Sequence, residues 1–176
     1  MWDDGEERII AAWALVAADR DAALARIYLA RFGSVNAFAT DLIWAAFARG
    51  GWPAAASMAV FALERHGDPA EARRLADAVR RTLMEDEANG IARSEHARTW
   101  AELHVRRGDR AAALLELERA IDSDWQDVCA GPVWIGTWPP LRPLRGERRF
   151  EALLERCRGQ IDGQRRALGL PPARLP

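Results

Sequence analysis

The segment Ala97-Arg98-Thr99-Trp100-Ala101-Glu102-Leu103-His104-Val105-Arg106-Arg107-Gly108-Asp109-Arg110-Ala111-Ala112-Ala113-Leu114-Leu115-Glu116-Leu117-Glu118-Arg119-Ala120 decides the fold. Its apolar positions recur at helical spacing on both sides of Gly108-Asp109. Glycine readily takes the left-handed conformation that ends a helix, so the chain reverses there. Seven, eight and eleven residues before Gly108 stand Ala101, Trp100 and Ala97, and five, nine and twelve after it stand Ala113, Leu117 and Ala120. Small side chains therefore fall where two antiparallel helices approach most closely, and larger ones fall one turn away.

Working outward, the same register recurs at Gly67-Asp68, with Ala56, Ala59 and Val60 before it and Ala72, Ala76 and Val79 after it. A third copy surrounds Ala18-Asp19, with Glu7, Ile10 and Ala11 before and Ala23, Ile27 and Ala30 after. Recurrence at a fixed internal register marks a stacked helical repeat, an architecture whose extended surfaces hold partners. The turns lie 49 and 41 residues apart, so the array is irregular.

Periodicity and turn signals predict seven helices in the first 122 residues, near 4–18, 20–32, 36–49, 53–66, 69–87, 91–107 and 110–122. Gly33, Gly50-Gly51, Gly67, Gly90 and Gly108 supply left-handed helix ends, while Pro53 and Pro69 suit a first helical turn. The short connections make successive helices antiparallel neighbours. Two pairings stay open for the helix at 36–49. The repeat scheme leaves it unpartnered, whereas strict alternation pairs it with the helix that begins near Pro53.

From 123 to 146 the chain carries Trp125, Trp134 and Trp138 with Pro132, Pro139, Pro140 and Pro143, which predicts an ordered loop packed on the body. A capping helix over 147–168 presents Phe150, Leu153, Leu154, Cys157 and Ile161 on one face, and a flexible tail follows over 169–176. A chain of 176 residues with 49% apolar content forms one domain, 1–176.

The copy from Ala97 through Gly108-Asp109 to Ala120 resembles a tetratricopeptide (TPR) repeat; the copy at Gly67 is a fair match and that at Ala18 a weak one. The segment Trp138 to Leu154, WPPLRPLRGERRFEALL, is similar to the one that closes the TPR regions of bacterial nucleotide cyclases, winged-helix regulators and serine/threonine kinases. Pro139, Pro143, Leu144, Arg145, Arg149, Phe150, Leu153 and Leu154 carry that likeness, and the chain departs from the pattern at Arg148, where a second proline is common. The resemblance implies an all-α, antiparallel helical-hairpin α-solenoid that binds a protein or peptide as a scaffold or adaptor, without catalysis.

Composition narrows the chemistry. Charge is balanced at 25 basic and 26 acidic residues, which gives no electrostatic footprint for nucleic acid or an anionic membrane. Every basic residue is arginine, so a phosphate-loop lysine or a Schiff base is excluded. The apolar stretch 9–18 is too short to span a bilayer and follows acidic, not basic, residues. Cys129 and Cys157 lie in no metal-ligand spacing and read as a reduced thiol pair in a cytoplasmic protein. His66, His96 and His104 stand at no metal-binding interval and read as structural, and Glu85-Asp86-Glu87 reads as a solvated helix end. No cofactor and no metal are expected.

Candidate partner-binding residues follow from the helix faces. The inward face of each first helix gives Ser57, Phe61 and Arg65 in one copy and Arg98, Glu102 and Arg106 in the other; these last three equally form a surface ion-pair ladder. Of the eight tryptophans, Trp13, Trp44 and Trp100 read as core, whereas Trp134 and Trp138 are candidates for recognition. The alternative function is a helical small-molecule-binding or sensor domain built on the Trp-rich loop.

Overall fold

The computed structural model describes residues 14–34, 37, 51–129 and 134–175, without the side chains of 51–52, 94–95 and 124–128. Among the described residues there are helices, turns and coil but no strand. The α-helices are α1 (Asp21–Arg31), α2 (Gly51–His66), α3 (Pro69–Ala88), α4 (Ala97–Arg106), α5 (Arg110–Cys129) and α6 (Arg148–Ala167), with 3-10 helices at Arg93–His96 and Pro139–Leu144. Most of the expected helix at 4–18, all but one residue of that at 36–49, and the side chains of Trp13, Trp44, Trp52 and Trp125 lie outside the described residues. The chain divides into two compact units, 1–99 and 100–176.

In the first unit α2 packs against both α1 and α3. Only Gly67 and Asp68 separate α2 from α3. Asp68 caps α3, its carboxylate accepting the Ala70 N–H at 2.7 Å, and Pro69 opens the first turn. Gly67, however, is not left-handed as expected. Its absent side chain serves space instead, because a Cβ there would lie 2.8 Å from the Leu63 side chain and 3.2 Å from the Leu63 Cα. Gly108 does take the left-handed conformation, at φ 77°. The Asp109 N–H reaches back to the His104 carbonyl at 3.0 Å, and the Asp109 carboxylate caps α5 through the Ala112 N–H.

Ala56, Ala59, Val60, Ala72, Ala76 and Val79 are all buried, and so are Ala97, Trp100, Ala101, Ala113, Leu117 and Ala120. The copy at Ala18 behaves differently. Glu7, Ile10 and Ala11 lie outside the described residues, Ile27 and Ala30 are exposed, and the buried side of α1 is Asp21, Leu24, Ala25 and Tyr28. The cause is local: Asp19, at φ 54°, occupies the left-handed position that Gly108 fills in the other turn. The frame therefore starts one residue later, which puts Leu24 and Tyr28 where Ala113 and Leu117 stand.

Two helix boundaries also differ from expectation. The stretch 91–107 begins as a 3-10 turn at Arg93–His96 and becomes α-helical at Ala97. Helix α5 runs on from residue 122 to Cys129, taking the first seven residues of the expected loop. Ser123 does not stop it, because its hydroxyl donates to the Arg119 carbonyl at 2.9 Å and stays within the helix. From Trp134 onward, Ile135, Trp138, Leu141, Leu144 and Phe150 are buried, so this part of the segment is packed as expected. Helix α6 lies against α5, and Asp162 accepts the Ala173 N–H at 2.7 Å, which ties the tail to α6.

The reduced thiol pair is overturned: Cys129, the last residue of α5, is disulfide-bonded to Cys157 in α6, with Cα atoms 5.3 Å apart. The contact joins residues 28 apart, a proximity that sequence spacing does not reveal. Disulfides persist in oxidising compartments, so a cytoplasmic placement argued from reduced thiols loses its premise.

Candidate functional site

Three polar clusters organise the first unit. Buried Tyr28 donates its hydroxyl to buried Glu71 at 3.1 Å, and Arg74 meets the other Glu71 oxygen at 2.7 Å. Burial raises the Tyr28 pKa first, and the neighbouring Glu71 charge raises it further. Nearby in sequence, Asp21 is buried yet meets both Arg65 at 3.3 Å and His66 at 3.0 Å, joining the start of α1 to the end of α2. A buried carboxylate requires a cation such as Arg65, since an unpaired one is strongly disfavoured. At the end of α3, His96 reaches Asp86 at 3.0 Å and Arg93 reaches Glu87 at 2.7 Å. The acidic run is thus partly engaged, by a histidine and an arginine, and among the described residues no cluster has the makings of a metal site.

Of the candidates in this unit, Ser57 is buried and packed into α2. Phe61 and Arg65 lie one turn apart on α2, with the Arg65 guanidinium 5.3 Å from the centre of the Phe61 ring. Phe61 is half-buried and Arg65 exposed, which leaves an aromatic ring and a cation together at the surface. Arg98 is half-buried with its three guanidinium nitrogens shielded from solvent, so it is no simple surface cation.

In the second unit two of the remaining candidates, Glu102 and Trp138, meet in the interior. Glu102 is buried and accepts the Trp138 indole N–H at 2.6 Å, which removes it from the solvated ladder considered above. Trp138 is almost wholly enclosed and Trp134 is buried. The Trp134 ring lies so close to Gly136 that a Cβ there would come within 2.5 Å of the indole nitrogen. The Arg158 guanidinium stands 5.6 Å from the ring centre of Trp134, and Arg145 holds the Gly136 carbonyl at 3.1 Å. Arg106 is half-buried at the end of α4, and His104 is half-buried with its ring stacked 6.0 Å from Trp100.

Ion pairs clasp α5 to the following segment: Arg110 meets Glu147 at 2.7 Å, Arg149 meets Glu118 at 2.6 Å, and Arg156 meets Asp122. The Arg149 hydrogen bond holds the Glu118 carboxyl below its ordinary range. Sequence reasoning missed Tyr28, Glu71 and the disulfide. The sole tyrosine, set in an alanine-rich helix, was the available signal for the first. No helix among the described residues is long and apolar enough to cross a membrane.

Comparison with known protein families, with curated protein sequences and with solved structures gives no match to this chain.

Proposed function

We propose that this chain is a TPR-like helical-repeat scaffold that holds a protein or peptide partner and does no chemistry of its own. The observation that carries the reading is the agreement of the two copies. All six register positions around Gly67, and all six around Gly108, are buried, and an aspartate caps the second helix in both. Within a helical hairpin of this kind the first helix offers a face on which a partner can be held. The best recognition element is Phe61 with Arg65, because the half-buried ring and the exposed part of a guanidinium that also pairs with Asp21 offer apolar area and N–H donors at one place. Trp138 and Glu102 satisfy each other in the interior and serve the fold.

A photo-crosslinking amino acid placed at Phe61 tests this in the native host, with the same group at Arg73, exposed on α3, as the control. The expected result is a discrete adduct from position 61 that is absent from position 73. Identical adducts from both positions, or none from either, would remove the basis for this face.

A further inference from the structure

We infer that His66 governs the availability of Arg65. While the imidazole is neutral, the buried Asp21 carboxylate holds the guanidinium; when the imidazole takes up a proton, it replaces Arg65 there and leaves that side chain free beside Phe61. The inference rests on the reading of Phe61 and Arg65 as the place where a partner is held, and it gives that place a regulation by pH.

The geometry is that of one acceptor with two claimants. Asp21 is the first residue of α1, and Arg65 and His66 are the last two of α2. Both meet the same carboxylate oxygen, Oδ2, the Arg65 Nε at 3.3 Å and the His66 Nε2 at 3.0 Å. Neither contact is directed as a full hydrogen bond, so the oxygen is held chiefly by charge and answers to the charge of its neighbours. The Asp21 side chain is 2% exposed, whereas those of Arg65 and His66 are 44% and 36% exposed. The carboxylate is therefore fixed in the interior, and either claimant can turn to water.

Charge decides which of them stays. A neutral imidazole cannot balance a buried carboxylate, so Arg65 is the counter-ion in that state. Proton uptake by His66 places a second cation at the same oxygen, and the two repel. Arg65 is the one to leave, because its contact is the longer, its stem is flexible, and its guanidinium already has a second resting place 5.3 Å from the centre of the Phe61 ring. His66 ends its helix, where a cation is favoured by the helix dipole. The other charged groups at this end of α2 and of the helices packed on it are Asp19 and Arg20 before α1, Glu64 on α2, and Asp68, Glu71 and Arg74 at the start of α3. Asp68 and Glu71 are both met by Arg74, at 3.9 and 2.6 Å, and Asp21 is the carboxylate that His66 itself meets. Histidine is the side chain whose charge ordinarily changes between about pH 5 and 8, so acid frees Arg65 and alkali retains it.

The test is nuclear magnetic relaxation of the full chain across about pH 5 to 8, with no partner present. His66 is followed by the carbon shift of its ring Cε1, and Arg65 by the order parameter of its Nε–H bond. As His66 gains its proton, the Arg65 order parameter should fall by at least about 0.2, into the flexible range below about 0.6, with the midpoint of the histidine. In His66→Gln, whose amide donates without changing charge, Arg65 should stay ordered throughout. An Arg65 order parameter that holds level through the His66 titration would overturn the gate. The same fall in His66→Gln, or a His66 that does not titrate in this range, would overturn it too. Since these spectra need no partner, they decide the gate alone, whereas the cross-linking at Phe61 decides whether a partner is held there.

Discussion

Tyr28 is the one tyrosine in a chain without lysine, and both cysteines are disulfide-bonded. No other side chain in the oxidised protein ordinarily titrates between about pH 9 and 11. Burial and the Glu71 charge disfavour its phenolate in the fold, so its pKa is higher folded than unfolded. A group shifted upward in this way contributes stability below its unfolded pKa, about 10, and that contribution is lost as pH rises toward the folded value. Denaturant midpoints should therefore fall above about pH 10 in the wild type and stay nearly level in Tyr28→Phe over the same range. Parallel pH curves for the two proteins would show that the hydroxyl is not held as described.

The Trp138 to Glu102 hydrogen bond gives a second prediction at this scale. Trp138→Phe removes the donor from a buried carboxylate and should cost about 1.5–3 kcal/mol, beyond any packing loss. In a double-mutant cycle with Glu102→Gln the two changes should couple by at least about 0.5 kcal/mol, measured by denaturant unfolding. Strict additivity would mean that the pair contributes nothing as a pair.

Among elements, the two Gly-Asp turns look alike in sequence but use glycine for different reasons. At Gly108 there is open space and a left-handed backbone, so asparagine should be tolerated better than alanine, whose left-handed conformation costs about 1–2 kcal/mol. At Gly67 the backbone is ordinary and the room is taken by Leu63, so alanine should be tolerated better than asparagine. Thermal midpoints of the four variants check this crossover, and the same order at both sites would refute it. Helix positions were readable wherever a residue type has a single local meaning. Pro69 and Asp68 began α3 where expected, and Gly108 ended α4 within a residue.

The failures have the opposite character. Asp19 adopts a left-handed conformation that glycine signals more plainly than aspartate does, which displaced the copy around Ala18 by one residue. Ser123 reads as a break, yet bonds within its helix. The site was less readable still. Glu102 and Trp138 are 36 residues apart and Tyr28 and Glu71 are 43 apart, and helical periodicity carries no information across such distances. Periodicity assigned faces, but it did not show that Glu102 points to the interior of its own unit.

At the scale of the molecule, the disulfide closes a loop whose ends are 28 residues apart, worth about 3.5 kcal/mol in the chain-entropy account. That stabilisation acts within the second unit, 100–176, while the first unit rests on α2 between α1 and α3. The division between the units falls between Thr99 and Trp100, within the copy around Gly108.

The equivalence of the copies is open to a leucine scan read by chemical denaturation. Ala56 and Ala72 in one copy correspond to Ala97 and Ala113 in the other, and all four are fully enclosed, whereas Ala111 on α5 is exposed. Replacing each of the four with leucine should cost about 1–3 kcal/mol, with similar values at corresponding positions, and Ala111→Leu should change stability by less than about 0.5 kcal/mol. If Ala111→Leu costs as much as the others, or if the corresponding pairs differ by more than the scatter among all four, the two segments are not copies of one hairpin and the scaffold reading falls with them.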